Sequence, residues 1–235
     1  MRSWKTIRTT NMQAVILAAG KGLRLRPITE SVPKALVDVC DTPLIFHILA
    51  SLPSTVTEIF VVVGYLGDQI RAAIGDAFDG KTVRYVTQDP LDGTGSALHL
   101  LKDDLHGKFL VVNGDDMYGA DDLNHLVARD LAVLVAPTED ANGSTAIVDE
   151  TGKFVEIRNS EVAAPRLRVC GAYVLDGRFF DYPLATVTVH DKIEYSLPHT
   201  IVAMARDHAI TTEVATHWQP VGTHEELARI RCRRQ

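Results

Sequence analysis

Short strand-like runs alternate with helix-like runs over residues 12–135 of the chain. The strand-like runs are QAVILA, EIFVVV, TVRYVT, KFLVVN and LAVLVAP, of which EIFVVV is continuously apolar and KFLVVN is another run of the buried type. Unbroken apolar strands of this kind are typical of a parallel sheet that is buried on both faces. Because parallel neighbours need crossover connections, the alternation predicts an α/β fold with a doubly wound, mostly parallel sheet and helices on both faces.

The connecting and C-terminal segments carry their own signals. DTPLIFHILASL predicts a helix with Asp41 as its N-cap, and STAIVDETGKFVEI predicts a β-hairpin with its turn around Gly152. LRVCGAYVLD and TTEVAT predict further strands. A helix within EYSLPHTIVAMARD is expected to be interrupted near Pro198, and a last helix is expected after the N-cap Thr223.

The chain has 235 residues, of which 46% are hydrophobic, and this is ample for one large core. We therefore expect a single Rossmann-like domain over residues 12–235 and an N-terminal extension over residues 1–11. Whether Met1 or Met12 is the true start stays open.

Charge and cysteine content restrict the function classes. Lysine plus arginine is 24 and aspartate plus glutamate is 30, so the formal charge is 24 − 30 = −6, which disfavours partners such as nucleic acid or a membrane surface. No apolar run reaches the roughly 18 residues of a membrane span. Three cysteines without a CxxC pair predict no disulfide framework and no zinc site, hence a reducing, cytoplasmic compartment.

A glycine-containing loop with four cations follows the first strand, in VILAAGKGLRLRPITESVPKAL. The P-loop spacing is absent, and Leu25 occupies the third glycine position of the dinucleotide fingerprint. A glycine loop after a strand exposes backbone N–H groups that bind phosphate. The loop therefore predicts a local anion site, built from Gly20, Gly22, Arg24 and Lys34.

This segment resembles the signature of the sugar nucleotidyltransferases, L-A-A-G-x-G-x-R-x-x-P-x-T-x-x-x-P-K. The matching positions are Leu17, Ala18, Ala19, Gly20, Gly22, Arg24, Pro27, Thr29, Pro33 and Lys34. QDPLDGTGSAL is similar to the base-recognition loop of the uridylyltransferases in that family, and VVNGDDMY resembles its metal-binding strand.

The resemblance implies transfer of a nucleoside monophosphate from an NTP, most closely UTP, to a sugar 1-phosphate, with pyrophosphate released. Arg24 would hold the β- and γ-phosphates, Lys34 the α-phosphate and the sugar phosphate, and Asp115 the cofactor Mg²⁺. Arg26 has no assigned role. The nucleotide-binding half, residues 12–135, would contact the NTP through Leu17, Ala19, Gly20, Gly22, Gln88, Gly93 and Thr94.

The sugar-binding half, residues 136–235, matches less well. The resemblance implies sugar contacts by Gly171 and Glu194. Pro198 and His199 replace the Thr-Asp of E-x-x-L-T-D. IRNS at residues 157–160 replaces E-K-P, so a sugar-side lysine is missing, for which Lys192 is a candidate substitute.

The largest departure is HWQPVGT, which is similar to W-x-D-x-G-T. Pro220 stands where the family has a second metal ligand. Asp116 is adjacent to Asp115, but successive side chains of a strand point to opposite faces, so Asp116 is expected to face away.

Several alternatives stay open. The same fold could use dTTP, GTP or CTP, or a non-sugar phosphate such as phosphocholine. A catalytically attenuated nucleotide-binding or regulatory protein is favoured by Pro220 and by the missing E-K-P. An NAD-binding dehydrogenase is disfavoured by the cation-rich loop. The sequence does not decide the sugar or the oligomeric state.

Overall fold

The computed structural model describes residues 11–139, 145–158, 166–189 and 191–230. The strands are β1 (Met12–Ala18), β2 (Asp38–Val39), β3 (Thr42–Pro43), β4 (Val56–Val63), β5 (Ala77–Phe78), β6 (Lys81–Thr87), β7 (Phe109–Asn113), β8 (Asp116–Tyr118), β9 (Ala132–Thr138), β10 (Thr145–Val148), β11 (Phe154–Arg158), β12 (Arg166–Leu175), β13 (Thr186–Val189), β14 (Lys192–Tyr195), β15 (Thr211–Val214) and β16 (Trp218–Pro220). The α-helices are α1 (Leu44–Ser51), α2 (Gly67–Ile74), α3 (Thr94–His99), α4 (Ala120–Val127), α5 (Leu197–Met204) and α6 (His224–Arg229). Short 3-10 helices cover Leu23–Leu25, Ile28–Glu30, Lys34–Leu36 and Gly177–Asp181.

The main sheet runs in the order β11-β10-β12-β7-β1-β4-β6-β5, and β9 and β15 extend it beside β12. Strands β7, β1, β4 and β6 are parallel neighbours. Strand β12 then joins β7 in the antiparallel direction, and β9 joins β12 likewise. Because β1 and β7 are adjacent and parallel, the loops after both strands open at one edge of the sheet.

The two faces of the sheet carry separate apolar cores. Alternate residues of β1 enter them: Ala14 and Ile16 pack with helices α1, α2 and α4, whereas Val15 packs with α3 and α5. This division follows from the two-residue period of a strand. The α/β architecture with helices on both faces, predicted from the alternation of strands and helices, is confirmed.

Several local predictions need correction. Asp41 does not cap α1, since the helix begins after Pro43 and Asp41 takes a left-handed conformation in the turn between β2 and β3. Pro198 lies in the first turn of α5, where a proline needs no hydrogen-bond partner, and therefore does not interrupt it. The predicted hairpin exists as β10 and β11, with Gly152 at φ 81° in its turn.

The remaining predictions concern the termini and the cysteines. Residues 1–10 of the expected extension, and Cys232, lie outside the described residues. Cys170 is a buried free thiol, whereas Cys40 is disulfide-bonded, so the prediction that the cysteines form no disulfide is wrong for Cys40. No helix among the described residues is long and apolar enough to span a membrane.

Candidate active site

A cleft of about 1410 Å³ opens at the carboxyl ends of the parallel strands. It is bounded by the loops after β1, β6 and β7, by β12 and by the β13–β14 hairpin. Every predicted site residue lines this cleft: Leu17, Ala19, Gly20, Gly22, Arg24, Lys34, Gln88, Gly93, Thr94, Asp115, Gly171 and Glu194. Segments far apart in sequence thus meet around one cavity.

The glycine loop is shaped by Gly22. Its φ is 62°, a conformation that favours glycine, and a side chain there would lie 3.0 Å from Cβ of Lys34. The hydroxyl of Thr29 donates to the carbonyl of Gly22 at 2.8 Å and fixes the turn. Gly20 has open space where a side chain would be, so its backbone is accessible from the cleft. The loop therefore keeps the backbone exposed at Gly20 and packs it tightly at Gly22.

Lys34 and Asp115 form an ion pair across the cleft, with 2.7 Å between Nζ and Oδ2. The lysine side chain is 11% exposed and that of Asp115 is 40% exposed. The carbonyl of Leu17 accepts a hydrogen bond from the N–H of Gly114 at 2.8 Å, which ties the end of β1 to the loop that carries Asp115. The proposed phosphate cation and the proposed metal ligand are therefore direct neighbours.

Asp116 is buried and lies outside the cleft lining, as expected from strand alternation. Burial raises the pKa of Asp116 well above its usual range, and the negative charge of Asp115 raises it further. Lys34, the indole of Trp218 and Arg168 act in the opposite direction. The Trp218 N–H makes no hydrogen bond of standard geometry among the described residues, so its effect on Asp116 is that of a nearby dipole.

Pro220 pairs with Asp116 across β16 and β8, and the N–H of Val221 donates to the carbonyl of Asp115 at 3.2 Å. Residue 220 therefore lies beside Asp116, and in this antiparallel register its side chain shares a face with Asp116 rather than with Asp115. Within the described residues no cluster of three histidine, cysteine or acidic side chains is arranged to hold a metal. Mg²⁺ keeps several waters and is commonly held by one or two carboxylates plus substrate phosphates, so Asp115 alone makes a weak site that the phosphates of a nucleotide would complete.

Gln88 is buried beneath the loop after β6, with 6% of its surface exposed. Its Nε2 lies 2.8 Å from the carbonyl oxygen of Gly93, 3.2 Å from Oδ1 of Asp92 and 2.9 Å from Oγ of Ser96. The carbonyl oxygen of Gly93 and Oδ1 of Asp92 only accept hydrogen bonds, so the side-chain atom of Gln88 that faces them is the amide nitrogen. Oε1 receives no hydrogen bond from the described residues and is not fully enclosed, so it is the atom of Gln88 that a ligand can reach.

Gly93 and Thr94 join this loop to the second half of the chain. A side chain at Gly93, where φ is 119°, would collide with the backbone of Tyr195, whose N–H donates to the carbonyl of Asp92 at 2.7 Å. The hydroxyl of Thr94 accepts from the N–H of Leu197 at 3.2 Å. Gly93 and Thr94 thus fasten the loop after β6 to β14 and α5, a role that the sequence did not indicate.

The opposite wall contains Gly171 and Glu194. Gly171 has φ 70°, and a side chain there would collide with the amide of Asn113. Glu194 lies in β14 rather than at a helix start, and Lys192 of the same strand also lines the cleft. Residues 159–160 of the IRNS segment lie outside the described residues.

Further cleft residues were not assigned from the sequence. They are Asn113, Arg168, Tyr173, Tyr195 and, without an assigned role, His199. The Nδ1 atom of His199 lies 2.8 Å from the Ser196 hydroxyl, and burial lowers the pKa of His199. Asn113 was recognisable as the polar residue that ends an apolar strand, but nothing in the local pattern distinguishes Arg168 from a surface arginine.

Comparison with known proteins gives consistent results. A family model described as nucleotidyl transferase matches residues 13–234. The bifunctional protein GlmU of Methanococcus aeolicus is 29% identical over 221 residues, covering 92% of this chain and 53% of the relative. The UTP–glucose-1-phosphate uridylyltransferase AglF of Haloferax volcanii is 31% identical over 206 residues, covering 83% of this chain and 84% of the relative.

A solved structure from Bacillus anthracis, provisionally assigned as a glucose-1-phosphate thymidylyltransferase, superposes with a TM-score of 0.79 at 25% identity and covers 93% of each chain. The chain spans about half the length of the GlmU relatives that it matches, 53% and 51% in the two proteins from Methanococcus aeolicus and Methanocaldococcus jannaschii. The resemblance inferred from the motifs is thereby confirmed at the level of the family. Since the family model covers nearly the whole chain, this protein belongs to the nucleotidyl transferase family.

Proposed function

We propose that this protein transfers a nucleoside monophosphate from UTP to a sugar 1-phosphate, forming an NDP-sugar and pyrophosphate. The observation that carries the proposal is the convergence of the glycine loop, the Lys34–Asp115 pair, the Gln88 loop and the Gly171–Glu194 wall on one cleft. The activities named for AglF and for the Bacillus anthracis structure support the same reaction class.

In this reaction a phosphate oxygen of the sugar 1-phosphate attacks the α-phosphorus of the NTP. The bond between the α-phosphorus and the bridging oxygen breaks, and the electron pair leaves with pyrophosphate. Such transfers depend on positioning and charge neutralisation more than on covalent help. The Gly20 and Gly22 amides with Arg24 would bind the leaving pyrophosphate, and Lys34 would neutralise the reacting phosphates.

The ammonium of Lys34 has three N–H donors, of which its pair with Asp115 uses one, so Lys34 can also contact phosphate. Asp115 would hold a divalent cation, which we propose to be Mg²⁺, and the cation would neutralise phosphate charge. The 2.7 Å pair keeps both charges compensated while the cleft is empty of substrate. The ion pair holds the lysine in the cleft lining, where we propose that the α-phosphate binds.

Gln88 supports a preference for uracil and thymine over cytosine. Its accessible Oε1 can accept a hydrogen bond from a ring N–H, which uracil and thymine have at N3, whereas cytosine has an acceptor there. Guanine also carries a ring N–H, so discrimination against GTP has to come from the larger purine. If Oε1 of Gln88 faces the N3 acceptor of cytosine, neither atom receives a hydrogen bond. The resulting loss of binding free energy is large enough to give selectivity for uracil and thymine.

A second candidate is a protein of the same fold with attenuated catalysis, because Pro220 removes a carboxylate from the metal site. A pyrophosphate-release screen of UTP, dTTP, CTP and GTP against a panel of sugar 1-phosphates, with phosphocholine included, separates the two. We expect release with UTP and at least one sugar phosphate. Nucleotide binding in calorimetry without release from any pair would favour the attenuated protein.

The proposed partners are an NTP and a sugar 1-phosphate, without nucleic acid or membrane. The cytoplasmic location stays a prediction, and its premise of reduced cysteines is weakened by the disulfide bond of Cys40.

A further inference from the structure

Arg168 lies on β12, lines the cleft and has few partners for a charged side chain. Its guanidinium stacks over the indole of Trp218, with 5.4 Å from Cζ to the ring centroid. Its Nη1 is 3.8 Å from Oε1 of Glu226, and its side chain is only 32% exposed. Among the described residues no hydrogen bond within 3.5 Å involves this guanidinium, although it carries five N–H donors. A half-buried cation in a cleft, with N–H donors that no described residue occupies, is suited to an anionic ligand.

Glu226 brings Arg168 close to a cation already assigned to the phosphate site. Its Oε2 accepts from the N–H of Gly222 at 2.8 Å, and a side chain at Gly222 would lie 2.9 Å from both Oε2 of Glu226 and Nη2 of Arg24. The carboxylate of Glu226 is therefore a neighbour both of Arg24, from the first loop, and of Arg168, from the second half of the chain. The Oγ1 atom of Thr223 accepts from the N–H of Glu226 at 3.1 Å, so the first turn of α6 fixes this position.

Arg168 is also near the position where the second carboxylate is missing. Trp218 and Pro220 lie two residues apart on β16, so their side chains share a face of that strand. The guanidinium stacked on Trp218 is thus on the side of β16 toward which residue 220 projects. A carboxylate at position 220 would bring positive charge to the site only by binding a metal cation. The guanidinium of Arg168 is itself permanently positive and needs no metal.

We propose that Arg168 is a further phosphate-binding residue of this site, contacting oxygens of the leaving pyrophosphate or of the sugar phosphate. This inference rests on the proposed function and extends it. In a cleft where Asp115 is the carboxylate proposed to hold a metal, a fixed guanidinium offsets part of the phosphate charge without moving, because its stack on Trp218 holds it in place.

The test compares Arg168→Gln, which removes the charge, with Arg168→Lys, which keeps it. Arg84→Gln is the matched control, since Arg84 also lies on a strand with one glutamate partner, Glu58 at 2.8 Å, and lies outside the cleft. Binding of inorganic pyrophosphate and of glucose 1-phosphate is measured by calorimetry with Mg²⁺, together with the midpoint of thermal unfolding. We expect Arg168→Gln to weaken binding of at least one ligand by about tenfold or more, Arg168→Lys to weaken it less, and the control to match the unmodified protein.

The ligand that is affected tells which phosphate Arg168 contacts, and a loss with either one supports the inference. Unchanged affinity for both ligands in Arg168→Gln overturns it, and a lowered unfolding midpoint with unchanged affinity would assign Arg168 to fastening α6 on the sheet. The proposed function fails separately, if the unmodified protein binds pyrophosphate but releases none from UTP with any sugar phosphate.

Discussion

At the scale of single residues, the proposed function gives Lys34 two roles, in the charge balance of the cleft and in the reaction. We expect Lys34→Ala to lower turnover about 10²-fold or more, because it removes a charge contact that strengthens as negative charge shifts between phosphates. Lys81→Ala is the matched control, since the Lys81 side chain is also 11% exposed and pairs with an aspartate, Asp79 at 3.6 Å, away from the cleft. Turnover of Lys34→Ala within a factor of two of the control would remove Lys34 from the reaction.

The same variant has a second expected effect without nucleotide. Since the ammonium of Lys34 competes for the Asp115 carboxylate, its removal should tighten binding of a divalent cation, measured with Mn²⁺ by electron paramagnetic resonance. Asp115→Asn should weaken Mn²⁺ binding in either background. Weaker Mn²⁺ binding in Lys34→Ala would contradict the competition between lysine and metal.

Gln88 gives a prediction on base choice. Gln88→Ala should narrow the difference in kcat/KM between UTP and CTP, because the accessible Oε1 is removed. It should also lower the free energy of unfolding by about 0.5–1.5 kcal/mol, since the carbonyl of Gly93 loses one of its donors and keeps the Ala97 N–H and the Ser96 hydroxyl. Gln69→Ala is the control for loss of a glutamine-to-carbonyl hydrogen bond, as Gln69 donates to Ser31 at an exposed site. An unchanged UTP-to-CTP ratio in Gln88→Ala would exclude base recognition by this residue.

At the scale of elements, Asp122 of α4 fastens the segment that leads into β16. Its carboxylate accepts from the N–H groups of Thr216 and His217 at 3.0 and 2.8 Å. Burial of this carboxyl opposes ionisation, but the hydrogen bonds from His217 and Thr216 outweigh it, so the pKa of Asp122 lies below its usual range. Asp122→Asn should therefore lower the free energy of unfolding by about 1–3 kcal/mol near neutral pH.

The pH dependence follows from the lowered pKa. The stabilisation by Asp122 is fully present above the pKa of an unfolded aspartate, about 3.9, and is lost as the pH falls through the lower folded pKa. The difference between the unmodified protein and Asp122→Asn in urea unfolding should thus be constant above about pH 5 and shrink below about pH 4. Asp121→Asn, its exposed neighbour in the first turn of α4, should change little at any pH.

The elements also show which features a sequence pattern can predict. Strands such as β4 and β7 were predictable because they contain unbroken apolar runs that are buried on both faces. The start of α1 was not, because Asp41 resembles an N-cap in sequence but takes part in a separate turn. In the site, the glycine loop and Asp115 were found from local motifs. Arg168 and the clamp between Gly93 and Tyr195 depend on contacts between distant segments, which leave no local signal.

At the scale of the whole molecule, the predicted nucleotide-binding and sugar-binding halves share one sheet. Strand β12 of the second half pairs with β7 of the first, from Ala172 opposite Val112 to Leu175 opposite Phe109. Strand β9 spans the boundary after residue 135, and it pairs with β12 as well. A fragment ending at residue 135 would lack β12, and the edge of β7 that faces away from β1 would then be unpaired. We therefore propose that residues 12–235 unfold as one cooperative unit, although the two halves are proposed to bind different substrates.

This proposal predicts how UTP changes thermal unfolding. UTP at about 100 times its dissociation constant should stabilise the protein by about 2.7 kcal/mol, which is about 5–10 °C for a chain of this size. If unfolding is cooperative, far-UV circular dichroism and the fluorescence of Trp218 should shift together, because Trp218 on β16 lies in the half that contributes least to the nucleotide site. Trp4→Phe leaves Trp218 as the one remaining indole of the chain's two. A fluorescence transition that stays in place while the dichroism transition moves would mean that the second half unfolds independently, and the shared sheet would then be too weak to couple the substrates.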